Sequence, residues 1–393
     1  MTLKRITAYL AICVSAVLLL SRSARVYVQE DSESTGNVTL IGGPMVQLGN
    51  TDGLTSIVIA WRTREKSNSR VDYGESTSYS QRVIVHELSD HHAIVLRHLQ
   101  PSKQYHYQVK SNDEVLASAV FQTGKTGDAP FRFAVFGDSG SGSPAQYTVA
   151  RQIEAQAVDF IIHTGDVVYP KGADQDYREH FYLPYRNLLA RIPFFPAIGN
   201  HDKITANGQP WLNNFILPGE ERFYSFSYGN ALFVALNSYD VLNSARWLEA
   251  QLSRSDKLWK FVFFHESPFS SGVPHPWYSA YKDRTGNAHE RRGWVPLFVK
   301  YKVDIVFSGH DHMYTRLRRK DGVIYIVEGI GGSDFYKINK QAPEVEFTDN
   351  SEFGFGLAEV AGPTLVFQHV TASGAVLDSF TLTKQVPAAA PMR

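Results

Sequence analysis

The sequence predicts two folded units in series, an all-β sandwich followed by a larger α/β domain. Three observations carry that expectation. Between about residues 39 and 123, short alternating apolar and polar runs recur with polar breaks, the spacing of a β-sandwich. Beyond Gly124-Lys125-Thr126-Gly127-Asp128 the runs become apolar throughout and alternate with amphipathic helical stretches, the pattern of a buried sheet covered by helices. The 393 residues are 43% apolar and 20% charged, an ordinary globular balance with enough length for two cores.

In chain order, Lys4 and Arg5 precede an apolar run from Ile6 to Leu20, followed by Ser21-Arg22-Ser23-Ala24. These are the three regions of a secretory signal, with cleavage expected near Ala24 and an uncleaved anchor as the alternative. The run is short of the roughly 20 apolar residues that span a bilayer. The expected organisation is a signal over 1–24, a linker over 25–37, a sandwich over 38–124, an α/β domain over 125–384 and a tail over 385–393. The product would be secreted or periplasmic, without stable membrane association once cleaved. Cys13, the sole cysteine, lies inside the signal. A disulfide framework, a zinc ribbon and a disulfide-linked dimer of the mature chain are therefore not expected. Lys plus Arg and Asp plus Glu both number 39, so no long-range field gathers nucleic acid or anionic lipid, and an anionic ligand must be captured locally. Asn37-Val38-Thr39 is an acceptor sequon where the host glycosylates. The oligomeric state is left open.

Sandwich strands are expected at Thr55–Trp61, Arg70–Tyr73, Gln81–Glu87, His92–Leu99, Tyr105–Lys110 and Val115–Phe121. Leu99-Gln100-Pro101 followed by Tyr105-His106-Tyr107-Gln108-Val109 resembles the strand entry of fibronectin type III domains, where a tyrosine pins the corner. His86, His91, His92, His98 and His106 fall on mixed faces of these strands and are read as surface residues rather than a metal site.

In the α/β domain, Phe131–Phe136 and Phe160–His163 read as buried strands. Ser143 and Pro144 offer an N-cap and a first-turn proline to a helix reaching about Gln156. The strand ends, taken in order, are Gly137-Asp138-Ser139-Gly140, Gly165-Asp166-Val167-Val168-Tyr169, Gly199-Asn200-His201-Asp202, Phe264-His265-Glu266 and Ser308-Gly309-His310-Asp311-His312. Crevices at the carboxyl ends of strands are where α/β sheets bind ligands. Carboxylate, amide oxygen, phenol and imidazole are ligands for Fe, Zn or Mn, and a carboxylate can bridge two ions about 3.5 to 4 Å apart. Any one of these pieces alone is usually a turn or a satisfied polar residue. Five in order, each after an apolar strand, point to two-metal hydrolysis.

This order, Asp-x-Gly, Gly-Asp-x-x-Tyr, Gly-Asn-His-Asp, a strand-end His and Gly-His-x-His, resembles the purple acid phosphatases of the calcineurin-like metallophosphoesterases over about residues 38–384. Gly140 and Tyr169 distinguish that family from the wider superfamily. The resemblance implies a four-layer α/β/β/α sandwich with a fibronectin-like module ahead of it. It implies a ferric ion held by Asp138, Asp166, Tyr169 and His312, with a divalent ion (Fe, Zn or Mn) held by Asp166, Asn200, His265 and His310. Asp166 would bridge. His201 and His275 would lie over the substrate, with His289 the competitor for the second place. Asp202 stands where many members have Glu. The implied reaction is hydrolysis of small phosphate monoesters by in-line attack of a metal-bound hydroxide, without a phosphoenzyme. A phosphodiesterase or nucleotide pyrophosphatase on the same metals is the alternative, and a non-enzymatic secreted binding protein a more distant one.

Other features read differently. Gly137-Asp138-Ser139-Gly140 superficially resembles serine-hydrolase motifs, but none of the 14 histidines has an aspartate three residues before it, and the motif opens a strand-helix unit. Gly140-Ser141-Gly142 is a turn, too short for a phosphate loop. His163 and Glu328 either orient a ligand or are buried polar residues. Phe181–Tyr185 and Trp277–Tyr281 are core by default, within loops (171–191 and 270–292) long enough to shape a pocket.

Overall fold

The computed structural model describes residues 27–28, 38–272, 282–283, 286–338 and 344–385. The expected signal over 1–24, Asn37, His275 and Trp277–Tyr281 lie outside the described residues. No helix among the described residues is long and apolar enough to cross a membrane.

The first module contains strands Leu40–Gln47, Ile57–Gly74, Gln81–Leu96, Gln104–Ser111 and Glu114–Gln122, with Tyr27–Val28 paired to the last. Two strands are longer than the sequence indicates. Thr55–Trp61 and Arg70–Tyr73 belong to one strand, and Gln81–Glu87 joins His92–Leu96 in its partner. The pairing passes from Arg62↔His91 through Ser67↔Ser89 to Ser69↔Val85, so bulges absorb the polar residues that read as breaks. One half of the bent hairpin pairs with Leu40–Gln47 and the other with Gln104–Ser111, so a single hairpin serves both edges of the module. At the corner, Gln100 N–H donates to Tyr105 Oη at 3.0 Å.

One histidine departs from the surface reading. His92 is buried, stacked on Trp61 at 4.8 Å and held between Thr63 Oγ1 (2.7 Å) and Ser69 Oγ (2.8 Å). Its strand position looked mixed because the bulge places it on the core face. His86, His91 and His98 are exposed.

The second region holds two sheets face to face. One runs Val376–Thr383, Thr364–Thr371, Gly354–Ala361, Phe131–Phe136, Phe160–His163 and Phe194–Pro196. The other runs Tyr224–Tyr228, Ala231–Ala235, Trp259–Glu266, Ile305–Gly309, Ile324–Glu328, Tyr314–Leu317 and Val345–Asp349. Phenylalanines from both fill the space between: Phe133 packs 5.4 Å from Phe261 and 6.1 Å from Phe307. Helices Pro144–Ala155 and Leu183–Leu189 cover the first sheet, where Tyr185 packs 5.7 Å from Phe136. Val241–Arg254 and Val295–Lys300 cover the second, burying Leu248, Leu252 and Phe298 against Val262, Phe264 and Val306. The result is the expected α/β/β/α order. Ser143 Oγ accepts from Gln146 N–H at 3.3 Å with Pro144 in the first turn, so the first helix begins where its capping chemistry places it. Tyr177, Phe181, Tyr182 and Tyr185 are core.

Candidate metal centre

Strands Phe131–Phe136, Phe160–His163 and Phe194–Pro196 run parallel in one sheet, and Trp259–Glu266 and Ile305–Gly309 run parallel in the other. Their carboxyl ends meet at one edge of the sandwich. Asp138, Asp166 and His310 leave their strands at φ of 55°, 56° and 68°. This left-handed region is costly for most side chains, and here it turns the chain so that each side chain faces its neighbours across the sheets.

All seven residues expected to hold metals converge. On one side, Tyr169 Oη lies 3.3 Å from Asp138 Oδ1 and 3.1 Å from His312 Nε2, which is 3.4 Å from Asp138 Oδ1. On the other, Asn200 Oδ1 lies 2.9 Å from both His265 Nε2 and His310 Nδ1, which are 3.1 Å apart. Asp166 stands between, its Oδ2 3.5 Å from His265 Nε2. One ligand atom each from Asp138, Asp166 and His265 falls within 4.8 Å of the others. His201 sits at the rim, Nε2 4.0 Å from Asp166 Oδ2, with its ring 4.5 Å from that of Tyr169.

The electrostatics test whether this set suits cations. Asp138 and Asp166 are 0% and 1% exposed, and among the described residues their ion-pair partners are histidines, with no lysine or arginine. Buried anions require compensating positive charge. Burial alone would lower the His265 imidazole, but Asp166 and Asp138 outweigh it and push it up to about 9. For His312 the same burial is outweighed by bonds to Asp138 and Asp334, which push it up to about 10. Burial would raise the Asp166 carboxyl, yet His265 and His201 hold it well below the usual carboxylate range. Protons on imidazoles thus supply a positive charge that cations can supply instead. Hard oxygens with imidazole nitrogens are the donor set of Fe, Zn and Mn, so the residues present fit a metal pair.

Neighbouring groups hold the ligand turns in place. The Asp202 carboxylate accepts N–H bonds from Val167 (3.0 Å), Val168 (3.1 Å) and Gly199 (2.9 Å), tying the Asp166 turn to the Asn200 turn. Asp202 therefore faces backbone rather than a leaving group. Burial, then the charge of Asp166, pushes its carboxyl up to about 7 against those bonds. His265 Nδ1 lies 3.0 Å from Thr164 O, and His201 Nδ1 2.7 Å from Pro170 O; an N–H donated there leaves Nε2 facing the centre. At Gly140, a Cβ would lie 1.8 Å from Val167 O, so only glycine lets the Asp138 turn approach the Asp166 turn.

The serine-hydrolase resemblance fails on hydrogen bonding. His163 Nδ1 accepts from Gly165 N–H at 3.2 Å, which makes Nε2 the donor to Ser139 Oγ at 2.9 Å, while Tyr185 Oη donates to the same oxygen at 2.7 Å. Burial pushes His163 down to about 3, so it stays neutral with no lone pair facing the serine. Among the described residues, Glu328 is bonded to a histidine outside the candidate ligands. Its Oε1 lies 3.1 Å from His369 Nδ1, and the His369 ring stacks under Tyr314 at 4.0 Å.

The sequence reading missed one segment, Ser333–Tyr336. Ser333 N–H donates to Asp138 O at 3.0 Å, Asp334 Oδ1 lies 2.7 Å from His312 Nδ1, and the Tyr336 ring stacks on His312 at 4.0 Å. The signal available was Gly329-Ile330-Gly331-Gly332 after a strand, a composition that permits close backbone approach. His289 is exposed on the wall of a cavity of about 550 Å³, shared with Ser238, Tyr239, Asp240, Glu266 and Asn287.

Residues 131–314 match the family model of the calcineurin-like phosphoesterases, and residues 44–124 that of the purple acid phosphatase N-terminal domain. Among curated proteins, an uncharacterised protein of Mycobacterium tuberculosis is 26% identical over 339 residues, covering 70% of this chain and 62% of that protein. The chain thus spans less than two thirds of that relative's length. The Fe(3+)-Zn(2+) purple acid phosphatase 12 of Arabidopsis thaliana is 26% identical over 379 residues, 81% of this chain and 78% of that one. The fold is shared with a purple acid phosphatase from yellow lupin seeds at a TM-score of 0.76, with 20% identity, covering 86% of this chain and 74% of that one. Both modules are thus matched in the order in which they occur, a purple acid phosphatase N-terminal domain followed by a calcineurin-like phosphoesterase domain, with a phenol standing beside the clustered carboxylates and imidazoles.

Proposed function

We propose that this protein is a binuclear-metal acid phosphatase acting on small phosphate monoesters. The observation that carries the reading is the pair of buried carboxylates, Asp138 and Asp166, whose ion-pair partners are histidines alone among the described residues. Asp138, Asp166, Tyr169 and His312 would hold a ferric ion, because a phenol among carboxylates suits a hard trivalent cation. Asp166, Asn200, His265 and His310 would hold a divalent ion; the name of the Arabidopsis relative favours zinc over iron or manganese. When bound, such a pair makes water nucleophilic near neutral pH and neutralises phosphoryl oxygens.

The chain's own residues do the rest. His201, 28% exposed and anchored through Nδ1 on Pro170 O, presents Nε2 to the phosphoryl or leaving oxygen of a bound phosphate. His275 is the second substrate histidine in this reading, with His289 the competitor from the cavity wall. Residues 1–24 would export the chain to a secreted or periplasmic location. Residues 38–124 would form an accessory module, fibronectin-like in its tyrosine corner, ahead of a catalytic unit over 125–384.

The test is the steady-state rate on matched aryl phosphate mono- and diesters at mildly acidic pH, with Asp166→Asn beside the wild type. The expected result is a monoester preference that collapses in the variant together with metal content. A diester preference would move the protein to the phosphodiesterase reading, and activity indifferent to Asp166 would overturn the metal assignment.

A further inference from the structure

We infer that Asp334 and Tyr336 form a clamp on His312 that sets the strength of the Tyr169-side metal site; the inference rests on the metal reading above. An imidazole that binds a cation through one nitrogen is oriented by what its other nitrogen touches. His312 turns Nε2 to Tyr169 Oη and Asp138 Oδ1, and its Nδ1 lies 2.7 Å from Asp334 Oδ1. That bond fixes the proton on Nδ1 and leaves the Nε2 lone pair for a cation. A carboxylate acceptor also makes the ring a stronger donor than a neutral one does. His265, on the other side of the centre, meets a neutral carbonyl, Thr164 O, at Nδ1.

The rest of the segment holds the carboxylate and the ring in register. Tyr336 stacks on His312 at 4.0 Å and 18°, its N–H donates to His312 O at 3.0 Å, and Asn350 Nδ2 donates to Tyr336 O at 2.6 Å. Ser333 N–H donates to Asp138 O. Both backbone contacts therefore fall on candidate ligands of the Tyr169 side. The side chain of Asp334 is 76% exposed while that of His312 is 4%, so a residue on the surface acts on a buried ligand. Asp334 is a positioning residue and touches no reacting atom.

Its exposure makes the test clean, because removing the carboxylate leaves the core intact. Full-length wild type, Asp334→Ala and Asp334→Asn are loaded with iron and zinc and titrated with a chelator, while elemental analysis and the visible absorption of the phenol-iron pair are followed. In Asp334→Ala the iron dissociation constant should rise about 10- to 100-fold and the visible band should shift, with zinc retention and thermal midpoint unchanged. Asp334→Asn, which can still accept the Nδ1–H bond without charge, should recover the band position but only part of the affinity. Iron retention and a spectrum identical to wild type in Asp334→Ala, or equal loss of both metals, overturns the clamp. A wild type that takes up no metal overturns the metal reading itself, and the clamp with it.

Discussion

Gly199 immediately precedes Asn200 and adopts φ −97° and ψ 176°, extended backbone open to any residue, so replacing it tests sterics alone. A Cβ there would lie 2.1 Å from Asp166 Oδ1 and 2.2 Å from Asp166 N. Real Cβ contacts essentially never fall below 3.0 Å, and a backbone nitrogen cannot swing aside as a flexible side chain can. Gly199→Ala must therefore displace the carboxylate between the two halves of the centre by about 1 Å, a misplacement that costs roughly 100-fold in rate. It also breaks the 2.9 Å bond from His201 N–H to Asp166 Oδ1, and the overpacking costs about 1 to 3 kcal/mol of stability. Gly127→Ala is the control: nothing lies within 4 Å of its Cβ, and its φ of +61° costs roughly 1 to 2 kcal/mol far from the centre. The assay is kcat on an aryl phosphate monoester with metals per chain measured on the same samples. Gly199→Ala with wild-type kcat and full metal content would refute the idea that close approach of these two turns sets the centre.

Three further outcomes follow from other contacts. Ser139→Ala should keep kcat within a few-fold, because His163 donates to this oxygen, and lose about 1 to 3 kcal/mol as His163 and Tyr185 lose their acceptor; a drop of several orders of magnitude in a kinetic assay would restore the nucleophile reading. Burial pushes His92 down to about 4, below its usual value, so the folded state binds the proton less readily than the unfolded one. Stability is then fully present above about pH 6.5 and falls by up to about 3 kcal/mol toward pH 4. Urea unfolding at several pH values should show that slope in the wild type and a shallower one in His92→Gln. Tyr105→Phe leaves Gln100 N–H without its acceptor and should cost about 1 kcal/mol in thermal unfolding while kcat is unchanged; a loss of activity would mean that the corner shapes the centre.

Much of the fold is legible because local rules agree with the tertiary outcome. The Phe131–Phe136 and Phe160–His163 strands match their apolar runs residue for residue, and the Ser143-Pro144 start sits where capping chemistry demands. The seven converging side chains are also legible, since each follows a strand that must be buried, and parallel strands deliver their ends to one edge. The longer strands of the first module were not. Arg62–Ser69 and Leu88–His91 read as breaks, and only pairing across the hairpin shows that the strands continue through bulges.

What the sequence determined by itself is which residue types lie at which strand ends, because apolar periodicity and turn chemistry act over a few residues. Tertiary structure alone decided their partners. It made Ser139 an acceptor held by His163 and Tyr185, turned the Asp202 carboxylate onto three backbone N–H groups, and buried His92 behind Trp61. It also brought Asp334 onto His312 from 22 residues away. Those contacts join segments distant in the chain, and a hydrogen bond between them leaves no periodic trace in either segment; it exists only once both sheets have closed around the same edge.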